Sequence, residues 1–598
     1  MDEMDSPRDP SSRFTWRDLK ALRDHAQNSP LRVIAHIDLD AFYAQVEMVR
    51  LLQPPHLPLA VQQWQGLIAI NYPARAYGIQ RHITVKEALE KCPELKLVHV
   101  QTWREGDTEP GDWEAPEVGT HKVSLDRYRR ESAKILGIFR ERCDRVEKAS
   151  IDESYLDLST LVYEALLEQY PQLRHPPQDL NTPLPPAPPT IFDEENHGKI
   201  IDINNSQVEE ELPSDWSDLS LSLAALHITS IRNQIRTQLG YDTSAGIARN
   251  KMLAKLCSST YKPNMQAVLR EGVEGSFLGG FRFTKIKNLG GKLGAKLVEI
   301  YKTEQVSDLL KVPIDDLRAK LGPETGAWLW QIIRGIDNSE VNIRTDTKSM
   351  LSAKNFRPCI NTTVSAHRWL RVLAEDLSSR LLEDPAHRRP KTLTLQHKSG
   401  GGVSKSKSMP VSKGGELTGE MIWGMAVGLL RGVEGEGRCF PCALLAVGLS
   451  GFEGREEGVQ GIAGFLVKAQ NNVPRIQDDQ EREGRKMEEG QVEGRSLGGF
   501  FKRRSTADEE PTPVQDAAPT TDGPELEEFG EKCERCGQFF VDKQEHDDYH
   551  FAMDMVAEER QQARTQHEQS VGHREKDREP AKKKVKVEKG QTRLSFFK

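Results

Sequence analysis

Cysteine, long apolar runs and a surplus of either charge are what this chain has least of. Its 598 residues include eight cysteines, too few for a disulfide framework and in keeping with a reducing compartment. No run of about 18 apolar residues occurs, so no membrane span and no membrane partner are expected. The polar, acidic start MDEMDSPRDPSS does not read as a secretory signal. Lys and Arg number 82 against 90 Asp and Glu, and the net charge of −8 neither requires nor excludes a polyanionic partner. The length allows three or more domains, and no internal repeat is visible.

What is present is alternation. RVIAHIDL reads as a buried strand, and AFYAQVEMVR after it has helical spacing, with Asp40 placed as its N-cap. RYRRESAKILGIFRERC puts Tyr128, Ile135, Leu136, Phe139 and Cys143 on one helical face. Residues 164–218, with HPPQDLNTPLPPAPPT, read as a surface insertion or disordered loop. Order is expected to resume near Leu221, and beyond about residue 470 disorder is expected except near 530–558.

ASIDESYLDLS sets Asp152 beside Glu153 at the turn of a predicted hairpin. Like charges about 4 Å apart repel by roughly 4 kcal/mol at an effective dielectric of about 20, so the pair needs either solvent or a cation. Asp38 closes the predicted strand RVIAHIDL, and an antiparallel sheet would bring it to the pair. Three converging carboxylates suit Mg²⁺, which takes its remaining ligands from water and substrate phosphates. Two such ions can activate an attacking hydroxyl and stabilise a leaving pyrophosphate, and a two-metal nuclease would look the same at this point. NYPARAYGIQR contributes Tyr72, Arg75 and Arg81, and AGIARNKMLAKLCSSTYKPN ends on Lys262 before Pro263. Together these basic residues favour a triphosphate clamp over a nuclease.

The blocks HIDLDAFYAQVE, IAINYPARAYGIQR, ASIDESYLDL, SAGIARNKMLAKLCSSTYKPN and KIKNLGGKLG occur in the order found in Y-family translesion DNA polymerases. The sequence resembles that family over about residues 31–468, nearest to its eta-type members, with kappa- and iota-type members as the alternative. The resemblance implies an α+β multidomain, right-hand polymerase followed by a largely disordered tail with one small zinc finger. Its expected divisions are an N-terminal extension (1–30), palm (31–53, 101–163 and 219–285, split by the insertion), fingers (54–100), thumb (286–342) and little finger (343–468). It further implies two Mg²⁺ ions on Asp38, Asp152, Glu153 and the backbone carbonyl of Leu39, and Tyr43 as the aromatic gate against a ribose 2′-hydroxyl. Tyr72, Arg75 and Lys262 would bind the triphosphate, Arg81 would lie over the incoming nucleotide, and Gln63, or Gln62 if the alignment slips by one, would support the templating base. The implied partners of this monomer are primer–template DNA, a dNTP and the ubiquitinated sliding clamp PCNA. A non-catalytic adaptor between ubiquitin and the clamp remains a rival.

Gly290 and Gly291 precede a Lys-rich helix beginning at Lys292, where backbone amides can meet a DNA phosphate. The stretch 387–413 holds seven Lys or Arg and no acid, as a phosphate-tracking surface would. Cys439 and Cys442 have no partner pair nearby and read as structural. In the tail, a linker over 469–529 leads to Cys533, Cys536, His546 and His550, whose spacing suits one tetrahedral Zn²⁺. This segment resembles a ubiquitin-binding finger, with Asp548 at the ubiquitin contact. The last stretch, 559–598, carries PAKKKVKVEK, a nuclear-localisation type of cluster, so a nuclear location is expected. The end resembles a clamp-binding peptide with Leu594, Phe596 and Phe597; Leu497, Phe500 and Phe501 form a second candidate.

Overall fold

The structure is a computed structural model. It describes residues 12–202 and 215–453, apart from 344–346, 385, 401–403, 413–415 and 436–438, together with the backbone of 531–532 and 539–540. Residues up to 453 belong to one unit. The strand pair at 531–532 and 539–540 belongs to a second and is antiparallel.

The chain enters through α1 (Trp16–Arg23), started by a capping box between Thr15 and Asp18. Next come β1 (Ile34–Leu39) and α2 (Phe42–Arg50). The fingers follow: β2 (Leu59–Gln63), β3 (Gly66–Ile70), α3 (Tyr72–Ala76), α4 (Val85–Lys91) and β4 (Lys96–His99). The short strands β5 (Thr102–Trp103) and β6 (Lys122–Val123) pair across a long loop. The palm resumes with α5 (Asp126–Arg142), β7 (Val146–Lys148), β8 (Glu153–Asp157), α6 (Ser159–Gln169), α7 (Glu194–His197) and β9 (Lys199–Ile201). It ends with α8 (Trp216–Leu239), β10 (Thr243–Ala248), α9 (Lys251–Thr260) and β11 (Gln266–Leu269). The thumb is α10 (Glu274–Gly279), α11 (Lys292–Tyr301), α12 (Val306–Leu309), α13 (Ile314–Leu321) and α14 (Pro323–Ile332). The little finger is β12 (Ser349–Ile360), α15 (Thr363–Leu382), β13 (Thr392–Ser399), β14 (Ser404–Pro410), α16 (Gly419–Glu434) and β15 (Cys442–Ser450).

A six-stranded sheet, ordered β7-β8-β1-β10-β11-β9, carries the palm. Its central strand β1 is antiparallel to both neighbours, and nearly every residue in it is buried because helices cover both faces. Side chains alternate along it. Ala35, Ile37 and Leu39 join a core with Tyr128, Ile135 and Phe139 of α5 and Ile228 and Ile231 of α8. Ile34 joins the opposite core with Leu253 and Leu256 of α9, and His36 and Asp38 share that face by parity. Gly246 lets α9 lie this close: a Cβ there would sit 2.2 Å from the Ala254 carbonyl oxygen and the Ser258 nitrogen.

Three expectations change. Asp40 does not cap α2; Ala41, at φ 48°, is the N-cap, because the Asp40 carboxylate already accepts from Ser244 Oγ and the Asn264 amide. Residues 164–202 are not a loose insertion. Leu173 and Leu184 are buried, and the Thr182 and Leu180 carbonyls accept from the amides of Trp16 and Arg17 at the start of α1. The proline-rich stretch, poor in donors, thereby satisfies amides that a helix start leaves unpaired. The N-terminal stretch is likewise part of the palm, since Phe14, Trp16, Leu19 and Leu22 are in its core. Beyond this, β9 adds a parallel edge strand to the palm sheet, and α8 starts at Trp216 rather than near Leu221. Residues 203–214, and the disorder expected after about 470, lie outside the described residues.

The fingers sheet runs β3-β2-β4, and the little-finger sheet runs β12-β15-β13-β14 with α15 and α16 packed on it. Trp103, fully buried, belongs to the little-finger core although it comes from the β5–β6 pair. Burying roughly 200 Å² of indole at about 25 cal/mol per Å² contributes on the order of 5 kcal/mol to that attachment. Among the described residues no helix is long and apolar enough to cross a membrane.

Candidate active site

Strand register brings the acids together. Asp38 on β1 is the direct partner of Glu153 on β8, and the Leu39 amide donates to the Asp152 carbonyl at 2.9 Å. Each carboxylate then meets its own neighbour. Asp38 touches the Lys262 ammonium, which also lies 3.6 Å from Asp40 Oδ1. Glu153 Oε2 accepts from Lys255 Nζ at 2.5 Å and lies 3.5 Å from His36 Nε2, while Asp152 Oδ1 accepts from Ser150 Oγ at 2.6 Å. Among the described residues no three acid, histidine or cysteine side chains already surround one point as metal ligands.

Electrostatics differ sharply between the first two acids. Burial pushes the Asp38 carboxyl up to about 7; Lys262 pulls it down, and Glu153 and Asp152 add to the rise. Burial would also raise Glu153, but His36 and Lys255 outweigh it and hold that carboxyl far below the usual range. A buried carboxylate that resists ionising, beside two further acids and already drawing an ammonium, is a donor set that fits hard divalent cations.

The basic and aromatic set arrives from two sides. Asn71 caps α3 and so orients the residues after it. The Tyr72 hydroxyl donates to Asp40 Oδ1 at 3.3 Å, and the Arg75 guanidinium lies 4.4 Å from the centre of the Tyr72 ring. Arg75 Nε and Arg81 Nε donate to the Ile70 and Ile68 carbonyls, which leaves both residues exposed along the fingers. Tyr43 stacks on Tyr128 at 4.1 Å, and the Tyr128 hydroxyl is fixed by Glu47. Gln62 is committed to the Trp64 carbonyl at 2.6 Å; Gln63, half-buried, makes no side-chain hydrogen bond among the described residues.

Sequence reasoning missed Asp40, Lys255 and His36. Asp40 is 2% exposed and joins Tyr72 of the fingers to Ser244 and Asn264 of the palm. Its signal was the Asp-x-Asp spacing at a strand end: residues 38 and 40 share parity, which outranks a capping role.

Gly291 and Lys292 stand exposed at the start of α11, as the phosphate-contact reading requires, with Gly290 half-buried beside them. The packing demand, however, falls on Gly294, where a Cβ would sit 1.8 Å from the Leu289 carbonyl oxygen. The basic stretch of the little finger is largely tied inward. Arg388 pairs with Asp384 at 2.9 Å, Arg389 donates to the Ser412 carbonyl, Lys391 pairs with Glu453, and Lys407 Nζ donates to the Gly432 carbonyl at 3.0 Å. Among the described residues of the stretch, Lys398 lies on the outer face of the sheet, paired across to Ser404. Cys439 and Cys442 are buried free thiols, and Cys442 begins β15. Cys533, Cys536, His546, His550, Asp548, Leu594, Phe596 and Phe597 lie outside the described residues, as do Leu497, Phe500 and Phe501.

Comparison with known proteins matches residues 37–259 to the impB/mucB/samB family, 283–336 to the DNApol eta/Rev1 HhH motif and 347–462 to the impB/mucB/samB family C-terminal domain. Residues 530–558, which span the four expected zinc ligands, match a Ubiquitin-Binding Zinc Finger. N-acetyltransferase eso1 of Schizosaccharomyces pombe is 38% identical over 576 residues, covering 92% of this chain and 65% of that protein. DNA polymerase eta of Saccharomyces cerevisiae is 31% identical over 465 residues, covering 67% and 73%; that of Arabidopsis thaliana is 34% identical over 387, covering 61% and 53%. The chain thus spans between about half and three quarters of these relatives. Members of the family use two Mg²⁺ ions, and the finger domain binds Zn²⁺. With its catalytic and C-terminal domains both matched and an eta polymerase aligned over most of its length, the chain belongs to the Y-family of DNA polymerases.

Proposed function

We propose that this chain is a DNA-directed DNA polymerase that inserts dNTPs opposite damaged template bases, ultraviolet photoproducts among them. The observation that carries the reading is the pairing of Asp38 with Glu153 on adjacent strands, with Tyr72 and Lys262 anchored on Asp38 and Asp40. Asp38, Asp152, Glu153 and the Leu39 carbonyl are the groups that would hold the Mg²⁺ ions. Bound there, the ions would lower the pKa of the primer 3′-hydroxyl and stabilise the departing pyrophosphate.

The chain's own residues do the rest. Lys262 turns from Asp38 to the triphosphate, joined by Tyr72 and by Arg75 at the edge of the fingers. Arg81 covers the incoming base, and Gln63, whose amide is uncommitted, meets the templating base. Tyr43, held flat by its stack on Tyr128, closes the space that a 2′-hydroxyl would need. The primer 3′-hydroxyl loses its proton to water, its oxygen attacks the α-phosphorus, one P–O bond forms, and the bond to pyrophosphate breaks. In the thumb, Gly290, Gly291 and Lys292 meet a DNA phosphate. In the tail, Cys533, Cys536, His546 and His550 hold zinc, Asp548 contacts ubiquitin, and Leu594, Phe596 and Phe597 dock on PCNA in the nucleus.

A 5′-labelled primer annealed to a template with a thymine dimer tests this. Extension that needs all of the enzyme, dNTP and Mg²⁺, and that disappears in Asp38→Ala, is expected; shortening of the primer would point to a nuclease and refute the reading.

A further inference from the structure

Lys354 breaks the pattern of its own strand. The inward face of β12 runs Met350, Ser352, Lys354, Phe356, so an ammonium stands where the little-finger core would take an aliphatic side chain. It is 7% exposed, and among the described residues no carboxylate pairs with it. Burial, with the nearby Lys122 charge, pushes it down to about 8. A lone buried cation is retained only if other groups replace its water.

Four groups do so, from three parts of the molecule. Nζ donates to the carbonyls of Val118 and His121 in the β5–β6 loop, both at 2.7 Å. It lies 5.1 Å from the centre of the Trp369 ring on α15 and 5.2 Å from that of Trp64 in the fingers. Both distances fall in the range of cation–π attraction. Trp64 is the tip of the β2–β3 turn, held at φ 57° with its amide donating to His99 Nε2 and its carbonyl accepting from Gln62. The residue before it is Gln63. A little-finger side chain therefore grips the turn that carries the template-side glutamines.

We propose that Lys354 is a positioning residue for the templating base: through Trp64, the little finger fixes the turn on which Gln62 and Gln63 stand. The inference rests on the polymerase reading above. It predicts that the little finger influences nucleotide selection and not only the grip on DNA.

Lys354→Met keeps the length of the side chain and removes its charge and its donors. Steady-state insertion of one dNTP should show about a tenfold rise in KM opposite a normal template base, with kcat within about twofold. Opposite an abasic site, which offers the glutamines no base, the same variant should stay within about twofold of wild type. Trp64→Leu should reproduce this pattern, and the double variant should be no worse than either single one. Should Lys354→Met fail to fold, Trp64→Leu carries the same comparison from the fingers side. Equal losses on both templates would mark a merely structural role, and no loss on either would show no role; each overturns the proposal. If the wild type extends no primer, the polymerase reading itself falls, and that outcome is read before any variant is compared.

Discussion

The palm and the little finger both advertise charge in the sequence, and they use it in opposite ways. In the palm, Asp38, Asp152 and Glu153 are aimed at one strand junction, and burial pushes the Asp38 carboxyl up to about 7 even with the Lys262 ammonium against it. In the little finger, a cluster of seven basic residues looks like a DNA-binding face, yet Arg388, Arg389, Lys391 and Lys407 are tied to groups of their own domain. Few charges at the right register make a reaction site; many charges in a run mostly hold their own domain together. Strand parity separates the cases, because it decides which side chains share a face.

The comparison breaks first, and hardest, at the palm. Asp38→Ala and Glu153→Ala should each lower primer extension by roughly 10⁴-fold, the scale of losing a central catalytic group. Melting of Asp38→Ala should not fall, since the variant removes a carboxylate that burial disfavours. A comparable loss from any single little-finger lysine would overturn the contrast.

Next in size is the buried pair that docks the little finger. Lys122 on β6 meets Asp376 on α15 at 2.8 Å, both almost wholly buried. Asp376→Asn should cost about 3–5 kcal/mol, because it strands the lysine. Burial pushes the Asp376 carboxyl up, but Lys122 and Arg380 outweigh it and hold it below its ordinary 3.8. The stability it contributes is therefore present above pH 3.8 and is lost as the pH falls through its lower folded value. Limited proteolysis on stepping below about pH 4 should show the little finger loosening in the wild type, and already at neutral pH in the variant.

Smaller still, Gly294→Ala should destabilise the thumb by about 1–3 kcal/mol, since the Leu289 carbonyl leaves no room, whereas Gly291→Ala has open space and should cost less. Thermal melting reads both. The smallest effect sharpens the contrast within the little finger: Lys398→Ala should reduce the salt slope of DNA binding by about 1, and Lys407→Ala should leave it unchanged.

Much of this was legible before the fold. Strand β1, the α5 face and the three acids follow from periodicity and from the local repulsion of Asp152 and Glu153. What stayed hidden depends on long-range partners. Asp40 looked like a helix cap because nothing local reveals Ser244 and Asn264. The proline-rich stretch 176–189 looked like a loop because nothing local shows that its Leu180 and Thr182 carbonyls accept from α1, about 165 residues earlier in the chain. Nothing local in the sequence marks Lys354, since its partners Trp64 and Trp369 are remote along the chain.

Counting bound ions tests the central claim most directly. With Mn²⁺ replacing Mg²⁺, a chain-terminated primer–template and the matching dNTP, electron paramagnetic resonance should find about two tightly held ions per chain in the wild type. Asp38→Asn should hold fewer while still binding the DNA. An unchanged ion count in that variant would mean that the strand junction is not where the metals sit.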